Sequence, residues 1–522
     1  MITAVIIDIL LSFKTDSLAE GGWIMADRTK SYKTLFVNTL IFALGSFGSK
    51  LLVLVLVPLY TAALTPEEYG TVDLIAQTAN ILIPIFTLTI SEAALRFGLD
   101  TKWECDRQKI YTICLRVMTI GLIAMAGIFP LLARLDYLDG FELLLYIYVW
   151  TSSLRQINMT FIRAVERVKL FAVDGILCTL TMLLLNILFL LKFKWGIWGY
   201  LLAIILSDAF SSTFLFTAGK LWRYITFGRT DKSLIRSMIS YAAPMMPATV
   251  LWIVTSISDH FIVKYFHGEY LNGILVIAYK IPTILTTVFT MFSQAWNMSA
   301  ISENNSSERE EFYTRVFSLN QSFMYVLSAG ILMLIKKPIT RVWVDAAYFE
   351  SYKYSPILTI ATIFTCFNVF LGSVYIAQKK TKHTFYISLA AGVINIVLNL
   401  ALIPRFGIYG AAIATFAAYF AVFFYRLYDT RRYIHFGFSM PKLLINTALL
   451  GIMAMVNIAE LPGIVMYPAL AALFIAVLVI NLRELLRIAV FIIPKKIKSK
   501  IGFISKLENK LSLNDSIEER KD

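Results

Sequence analysis

The chain has 522 residues, 58% of them hydrophobic and only 16% charged, with a mean hydropathy of +0.70. That balance excludes an ordinary soluble protein, which would need far more polar surface, and specifies a polytopic membrane protein. The formal net charge of +14 would suit nucleic acid, but the basic residues fall in short segments between apolar runs, where membrane topology accounts for them.

Cys105, Cys114, Cys178 and Cys366 show no CxxC or metal-ligand spacing, and the four histidines are equally scattered. No disulfide framework, metal, cofactor or nucleic-acid partner is expected. Residues 1–27 carry a short apolar run, MITAVIIDILLSF, without a basic region before it or a small-residue cleavage site after it. The expected reading is a cytoplasmic leader over 1–33, with translation starting at Met25.

Fourteen spans follow, at 36–63, 71–95, 110–133, 140–163, 169–191, 196–218, 238–264, 272–298, 314–335, 355–377, 383–403, 407–428, 441–459 and 463–489. The connections are too short for a soluble catalytic domain, so the expected fold is an all-α helical bundle. Basic residues concentrate on one side of it, as in Lys220, Arg223, Arg229, Lys232 and Arg236 between spans 6 and 7, and Lys379, Lys380 and Lys382 between spans 10 and 11. Both termini are therefore expected in the cytoplasm, with the protein in the cell membrane.

A weak internal repeat pairs LLNILFLLKFKWGIWGYLLAI (184–204) with VLNLALIPRFGIYGAAIAT (397–415). It predicts two six-helix lobes, 34–218 and 238–430, joined by a charged linker, 219–237. Two further helices (431–494) and a basic tail (495–522) complete the chain. Repeats of this kind place substrate sites between halves in secondary transporters.

No enzyme motif survives inspection. GSFGSKL at 45–51 lacks the phosphate-loop spacing and lies in an apolar helix. The informative residues are polar groups inside spans. In span 8, Lys280, Thr283, Thr287, Thr290, Gln294 and Asn297 recur at intervals of three and four, which puts all six on one helical face. A lysine facing lipid costs several kcal/mol, so this stripe is expected to line a wet cavity. Lys50 lies deep in span 1, on a polar side with Asn38, Ser46 and Ser49. Arg96 closes span 2 four residues after Glu92, with which it can pair, and Arg155 sits in span 4.

Asp259 follows a serine-rich turn of span 7 and is a candidate for ion coupling, as are Glu92 and Asp208. Asp208 stands alone among apolar residues of span 6 and requires a partner. Pro84, Pro244, Pro247 and Pro282 predict kinks. A cavity rich in deep cations suits a phosphate or pyrophosphate headgroup, whereas a pump for cationic drugs would present carboxylates.

GSFGSKLLVLVLVPLYTAALTPEEYGTVDLI and SEAALRF resemble the bacterial polysaccharide transporters, as do YAAPMMPATVLWIVTSISDHFIVKYF and AYKIPTIL. These are the O-antigen and capsule repeat-unit flippases of the multidrug/oligosaccharidyl-lipid/polysaccharide exporter superfamily. The resemblance runs over residues 34–430. It implies a V-shaped pair of lobes and alternating access for undecaprenyl-pyrophosphate-linked oligosaccharides in lipopolysaccharide or capsule synthesis. Membrane lipids and a polysaccharide polymerase are the partners to consider.

Related peptidoglycan-precursor flippases use cations in helices 1, 2 and 8, where this chain has Lys50, Arg96 and Lys280. Family members often carry arginine where this chain has lysine. The expected pyrophosphate ligands are thus Lys50, Arg96, Arg155 and Lys280, with the sugar on the span 8 stripe. The competing readings are an ion-coupled multidrug antiporter of the same superfamily, a lipid II type flippase, and a membrane-embedded glycosyltransferase or ligase. The last needs a large external loop with carboxylates, and 336–354 holds only Asp345 and Glu350.

Overall fold

The computed structural model describes residues 55–492, apart from 101–103, 133–139, 227, 229–230, 303–308, 337–339 and 379–380. Every long element among them is a helix, and eleven stretches are long and apolar enough to cross a membrane. One of the eleven, Lys232–Thr290, holds more than one expected span. Of the first expected span, residues 55–63 are helical and the remainder lies outside the described residues.

The next helix starts where the sequence signals it. Thr65 and Glu68 form a reciprocal cap: the Glu68 amide donates to Thr65 Oγ1 (3.3 Å) and the Thr65 amide donates to Glu68 Oε2 (2.9 Å), with Pro66 in the first helical turn. Helix α1 runs Pro66–Thr87 and α2 runs Ile90–Asp100. The expected continuous second span is therefore broken, at Leu88 (φ 51°) and Thr89 (φ 50°). Left-handed backbone is costly for both side chains, and surrounding packing holds it: the Thr89 hydroxyl donates to the Ala242 carbonyl at 2.9 Å.

Then come α3 (Glu104–Leu132), α4 (Glu142–Ala164) and α5 (Val168–Asn186), which continues as a π turn over Ile187–Lys192. Helix α6 is Gly196–Ala218. The short α7 (Lys232–Ala242) is capped by Asp231, whose carboxylate accepts from the Ser233 amide at 2.8 Å. Helix α8 spans Met245–Lys280, with non-helical backbone at Gly268, and α9 is Thr283–Ser302. Pro282 separates α8 from α9, so the expected eighth span is two helical pieces. Its Lys280 ends one piece and its Thr283 begins the other.

The remaining long helices are α10 (Arg309–Leu334), α11 (Ser355–Ala377), α12 (Thr381–Phe406), α13 (Ile408–Thr430), α14 (Met440–Ile458) and α15 (Gly463–Ile492). The repeat seen in the sequence makes the same turn twice. Gly196, the first residue of α6, and Gly407, just before α13, both take positive φ (53° and 56°). Three residues on, a side chain on Gly410 would collide with the Leu402 carbonyl, and one on Gly199 would press on Phe189.

The helices form two compact units. The larger takes in Asn38–Met298 and Ile335–Asp429. Its core includes Tyr111, Phe161, Ile205 and Leu215 around α3–α6, and Tyr69, Val263, Ile277 and Ala412 where α1, α8 and α13 meet. Where α1 crosses α8 the backbones touch: a Cβ on Gly273 would overlap the Pro66 carbonyl, and Asn272 Nδ2 donates to the Gly70 carbonyl at 3.0 Å.

The smaller unit holds α10, α14 and α15. It is joined by polar contacts where apolar packing alone gives little register. Lys442 Nζ lies 2.8 Å from Glu484 Oε2 and 3.1 Å from Ser322 Oγ. Asn481 Nδ2 donates to Asn446 Oδ1 at 2.9 Å, and Asn457 Nδ2 to the Leu332 carbonyl at 3.0 Å. Outward residues such as Ile464, Met455 and Val479 are exposed and apolar, as a lipid-facing surface requires.

Candidate functional site

A cavity of about 800 Å³ lies in the larger unit, walled by α1, α2, α4, α5, α6 and α8. One end is closed by tyrosines. The Tyr60 and Tyr200 rings meet edge to face at 4.9 Å, Tyr69 contacts both, and Tyr348 stacks edge-on against Tyr69 while its hydroxyl donates to the Leu64 carbonyl. The other end is lined by Ser91, Glu92 and Thr249.

Four charged side chains line the cavity among the described residues: Glu92, Arg155, Asp208 and Lys280. Cations and carboxylates are thus balanced there, and two of them are paired. Arg155 Nη1 lies 3.3 Å from Asp208 Oδ1, and Arg155 Nε donates to Ser211 Oγ at 3.0 Å. The Ser152 hydroxyl makes a short hydrogen bond to Asp208 Oδ2. Asp208 therefore has the partner that its place in an apolar helix requires.

Lys280 is half-buried at the end of α8, within electrostatic range of Asp73 on α1. Asp73 in turn contacts His260 Nδ1 at 2.8 Å, and His260 is also 4.0 Å from Asp259. Above the imidazole, the Tyr279 ring stacks at 5.4 Å while its hydroxyl donates to Asp259 Oδ2. A chain of titratable side chains, Lys280–Asp73–His260–Asp259, thus links α1 to α8.

Asp259 lines a second, smaller pocket of about 130 Å³ together with Tyr279, Asn395, Thr415 and Thr362. Its lining offers oxygens of Asn395, Thr415 and Thr362, and Asn395 is held in place from behind: Ser258 Oγ and Asn399 Nδ2 both donate to its Oδ1, at 3.2 and 3.0 Å, while its Nδ2 donates to Thr415 Oγ1 at 3.3 Å. No group of three or more His, Cys, Asp or Glu side chains is placed to hold a metal among the described residues.

The structure brings Glu92, Arg155, Asp208 and Lys280 together and sets Asp259 in the neighbouring pocket. Arg96 is exposed on α2 and does not line either space. Thr283 and Thr290 donate to carbonyls four residues earlier, and Thr287 is buried; none of the three lines the large cavity. The Gln294 and Asn297 side chains lie outside the described residues, as do Lys50, Asn38, Ser46 and Ser49.

Sequence reasoning missed Asp73, Asp174 and Tyr148. Asp73 begins a polar stripe with Gln77 and Asn80 on α1, spaced like the one that singled out span 8, and Gln77 Nε2 donates to Asp73 Oδ1 at 3.3 Å. Asp174 is a lone acid in VKLFAVDGILC, and its pairing through Ser211 has no signature in one dimension.

Comparison with known proteins gives a consistent picture. The family described as polysaccharide biosynthesis protein matches residues 35–297. The probable flippase AglR of Haloferax volcanii is 25% identical over 57% of this chain and 62% of its own length. Across the curated relatives, the match spans between 45% and 88% of the relative's length, and 45% for the first. Among solved structures, a lipid II flippase MurJ in an inward closed conformation superposes over 86% of this chain and all of its own, at 14% identity and a TM-score of 0.67. An inward-facing multidrug resistance MATE family transporter of the MOP superfamily covers 75% of this chain and 94% of its own, at 12% identity and a TM-score of 0.57.

Proposed function

Because the chain belongs to the polysaccharide biosynthesis protein family, we propose that it is a flippase. Its substrate in this reading is an undecaprenyl-pyrophosphate-linked oligosaccharide repeat unit, moved across the cytoplasmic membrane by alternating access for O-antigen or capsule synthesis. The observation that carries the reading is the cavity of about 800 Å³ that holds Arg155 and Lys280 inside a membrane helical bundle.

A guanidinium and an ammonium in a low-dielectric site give charge-assisted donors for a pyrophosphate. Lys280 and Arg155 are its first ligands, with Lys50 completing the set. The sugar lies against neutral polar groups and the polyprenyl tail remains in lipid. With both termini cytoplasmic, the tyrosine-closed end faces outward and the Glu92 end faces the cytoplasm, the side where the substrate is loaded.

Asp259 serves the coupling ion. One carboxylate among hydroxyl and amide oxygens suits a monovalent cation, which needs several oxygens but little opposing charge. The Tyr279 hydroxyl would release Asp259 Oδ2 when that cation enters.

A second reading, an ion-coupled multidrug antiporter, draws on the two carboxylates Glu92 and Asp208 in the same lining. A lipid II type flippase differs from the first choice only in the sugar-peptide cargo. The deciding experiment offers proteoliposomes fluorescent undecaprenyl-pyrophosphate oligosaccharide, lipid II and a cationic dye. Translocation of the oligosaccharide lipid supports the proposal, and movement of the dye alone replaces it with the antiporter.

A further inference from the structure

The large cavity has an unexplained appendix. Behind Arg155 the hydrogen bonds continue inward: Arg155 Nε donates to Ser211 Oγ (3.0 Å), and the Ser211 hydroxyl donates to Asp174 Oδ1 (2.6 Å). Asp174 is fully buried, yet its Oδ2 has no hydrogen-bond partner. One guanidinium thus serves two carboxylates, Asp208 directly at the cavity wall and Asp174 through Ser211 behind it. A buried carboxylate is tolerated when paired, and becomes costly when its counter-charge leaves.

We propose that Asp208, Arg155 and Asp174 form a proton-binding unit that loads a proton when the pyrophosphate enters. The inference rests on the flippase reading and adds the partner ion of its cationic ligand. Arg155 cannot give its full fork of donors to a phosphate while Asp208 holds Nη1. The pyrophosphate draws the guanidinium toward the cavity, and the Arg155–Asp208 contact opens. Asp208, still held by the Ser152 hydroxyl, then takes one proton from solvent. Asp174 Oδ2 is the second position for a proton in the same unit.

Among the described residues Arg155 is the cation in contact with Asp208, and Lys280 of α8, which lines the same cavity, is taken by the pyrophosphate in this reading. Helix α4 presents Arg155 and Tyr148, α5 presents Asp174 and Cys178, and Asp73 of α1 acts on Tyr148. Lys192 of the π turn and Arg223 of the short turn after α6 lie beyond the two ends of that helix, with Asp208 at its middle. Release of the anion reverses the exchange: Arg155 returns to Asp208 and the proton leaves.

The test is calorimetric titration of the full chain in micelles with farnesyl pyrophosphate, in two buffers of different ionisation enthalpy. The ligand's own protonation cancels in the difference between wild type and Asp208→Asn. Wild type is expected to take up about one more proton per ligand than Asp208→Asn, and its affinity to fall by up to about tenfold more per pH unit above neutrality. Arg155→Gln supplies a second comparison, because Asp208 then has no counter-charge to lose; it should bind more weakly and also lack the extra proton. Equal proton uptake in wild type and both variants, with binding intact, overturns the linkage and leaves the flippase reading standing. Failure of wild type to bind the pyrophosphate overturns both.

Discussion

His260 Nδ1 lies 2.8 Å from Asp73 Oδ2, a contact between two helices whose contacting residues are 187 positions apart in the chain. It ties α1 to α8 beside the tyrosine-closed end of the cavity, and both partners are largely shielded. Breaking a buried pair by removing one partner costs about 3–5 kcal/mol, since the other charge is left alone. Asp73→Asn is therefore expected to lower the thermal midpoint of the purified protein by several degrees and to open the closed end. Thermal melts, together with thiol labelling of a cysteine placed at Tyr69, measure the two effects. An unchanged midpoint with unchanged labelling would show that the contact does not hold the helices.

The α1–α8 crossing depends on glycine at 273, where any Cβ meets the Pro66 carbonyl. Gly273→Leu should separate the backbones and remove the Asn272–Gly70 hydrogen bond, leaving little monodisperse protein on size-exclusion chromatography. A Cβ on Gly127 would meet nothing within 4 Å, so Gly127→Ala should elute as wild type does.

Leu88 holds a left-handed backbone at the break between α1 and α2. Glycine adopts that conformation freely, whereas a β-branched residue does not. Leu88→Val should destabilise by about 1–3 kcal/mol through backbone strain. Leu88→Gly should be better tolerated than Leu88→Val in the same melt, although it loses more apolar surface. The reverse order would mean that side-chain packing governs this position.

Arg155 and Asp208 should couple strongly in a double-mutant cycle. Arg155→Ala removes the cation that contacts Asp208, and Asp208→Ala leaves the guanidinium with its Ser211 hydrogen bond. The double variant should be less destabilised than the sum of the singles, by about 0.5–3 kcal/mol. Denaturation melts of the four proteins provide the coupling term, and strict additivity would show that the two charges do not interact.

Much of the helical layout is legible in the sequence because a bilayer span leaves a long apolar signature. The turns at Gly196 and Gly407 are legible too, since each glycine has aromatic residues at the same two positions around it, Trp195 and Trp198 in one half and Phe406 and Tyr409 in the other. Pro282 announces the break after Lys280. The break at Leu88–Thr89 has no glycine or proline to mark it; tertiary contacts such as Thr89 to Ala242 impose it.

For the site, deep charges can be recognised one at a time, but their pairing cannot. Arg155 reads as a free cation in span 4, and 53 residues separate it from the carboxylate that holds it. Asp73 is obscured by its closeness to the acidic cap of α1, where Glu67 and Glu68 make another acid unremarkable. A surplus of cations in the sequence is thus compatible with a balanced cavity lining, because folding brings distant carboxylates to the same wall.

A pyrophosphate site built on Lys280 and Arg155 is the centre of the proposed flippase mechanism. Its most direct test is translocation of fluorescent undecaprenyl-pyrophosphate oligosaccharide in proteoliposomes, comparing wild type with Lys280→Ala and Lys50→Ala at matched, folded incorporation. Transport by wild type is expected, with a loss of about tenfold or more in Lys280→Ala, the cost of one charge-assisted contact. Lys50→Ala should fall by a similar factor. Wild-type rates in both variants would contradict this site and place the pyrophosphate elsewhere.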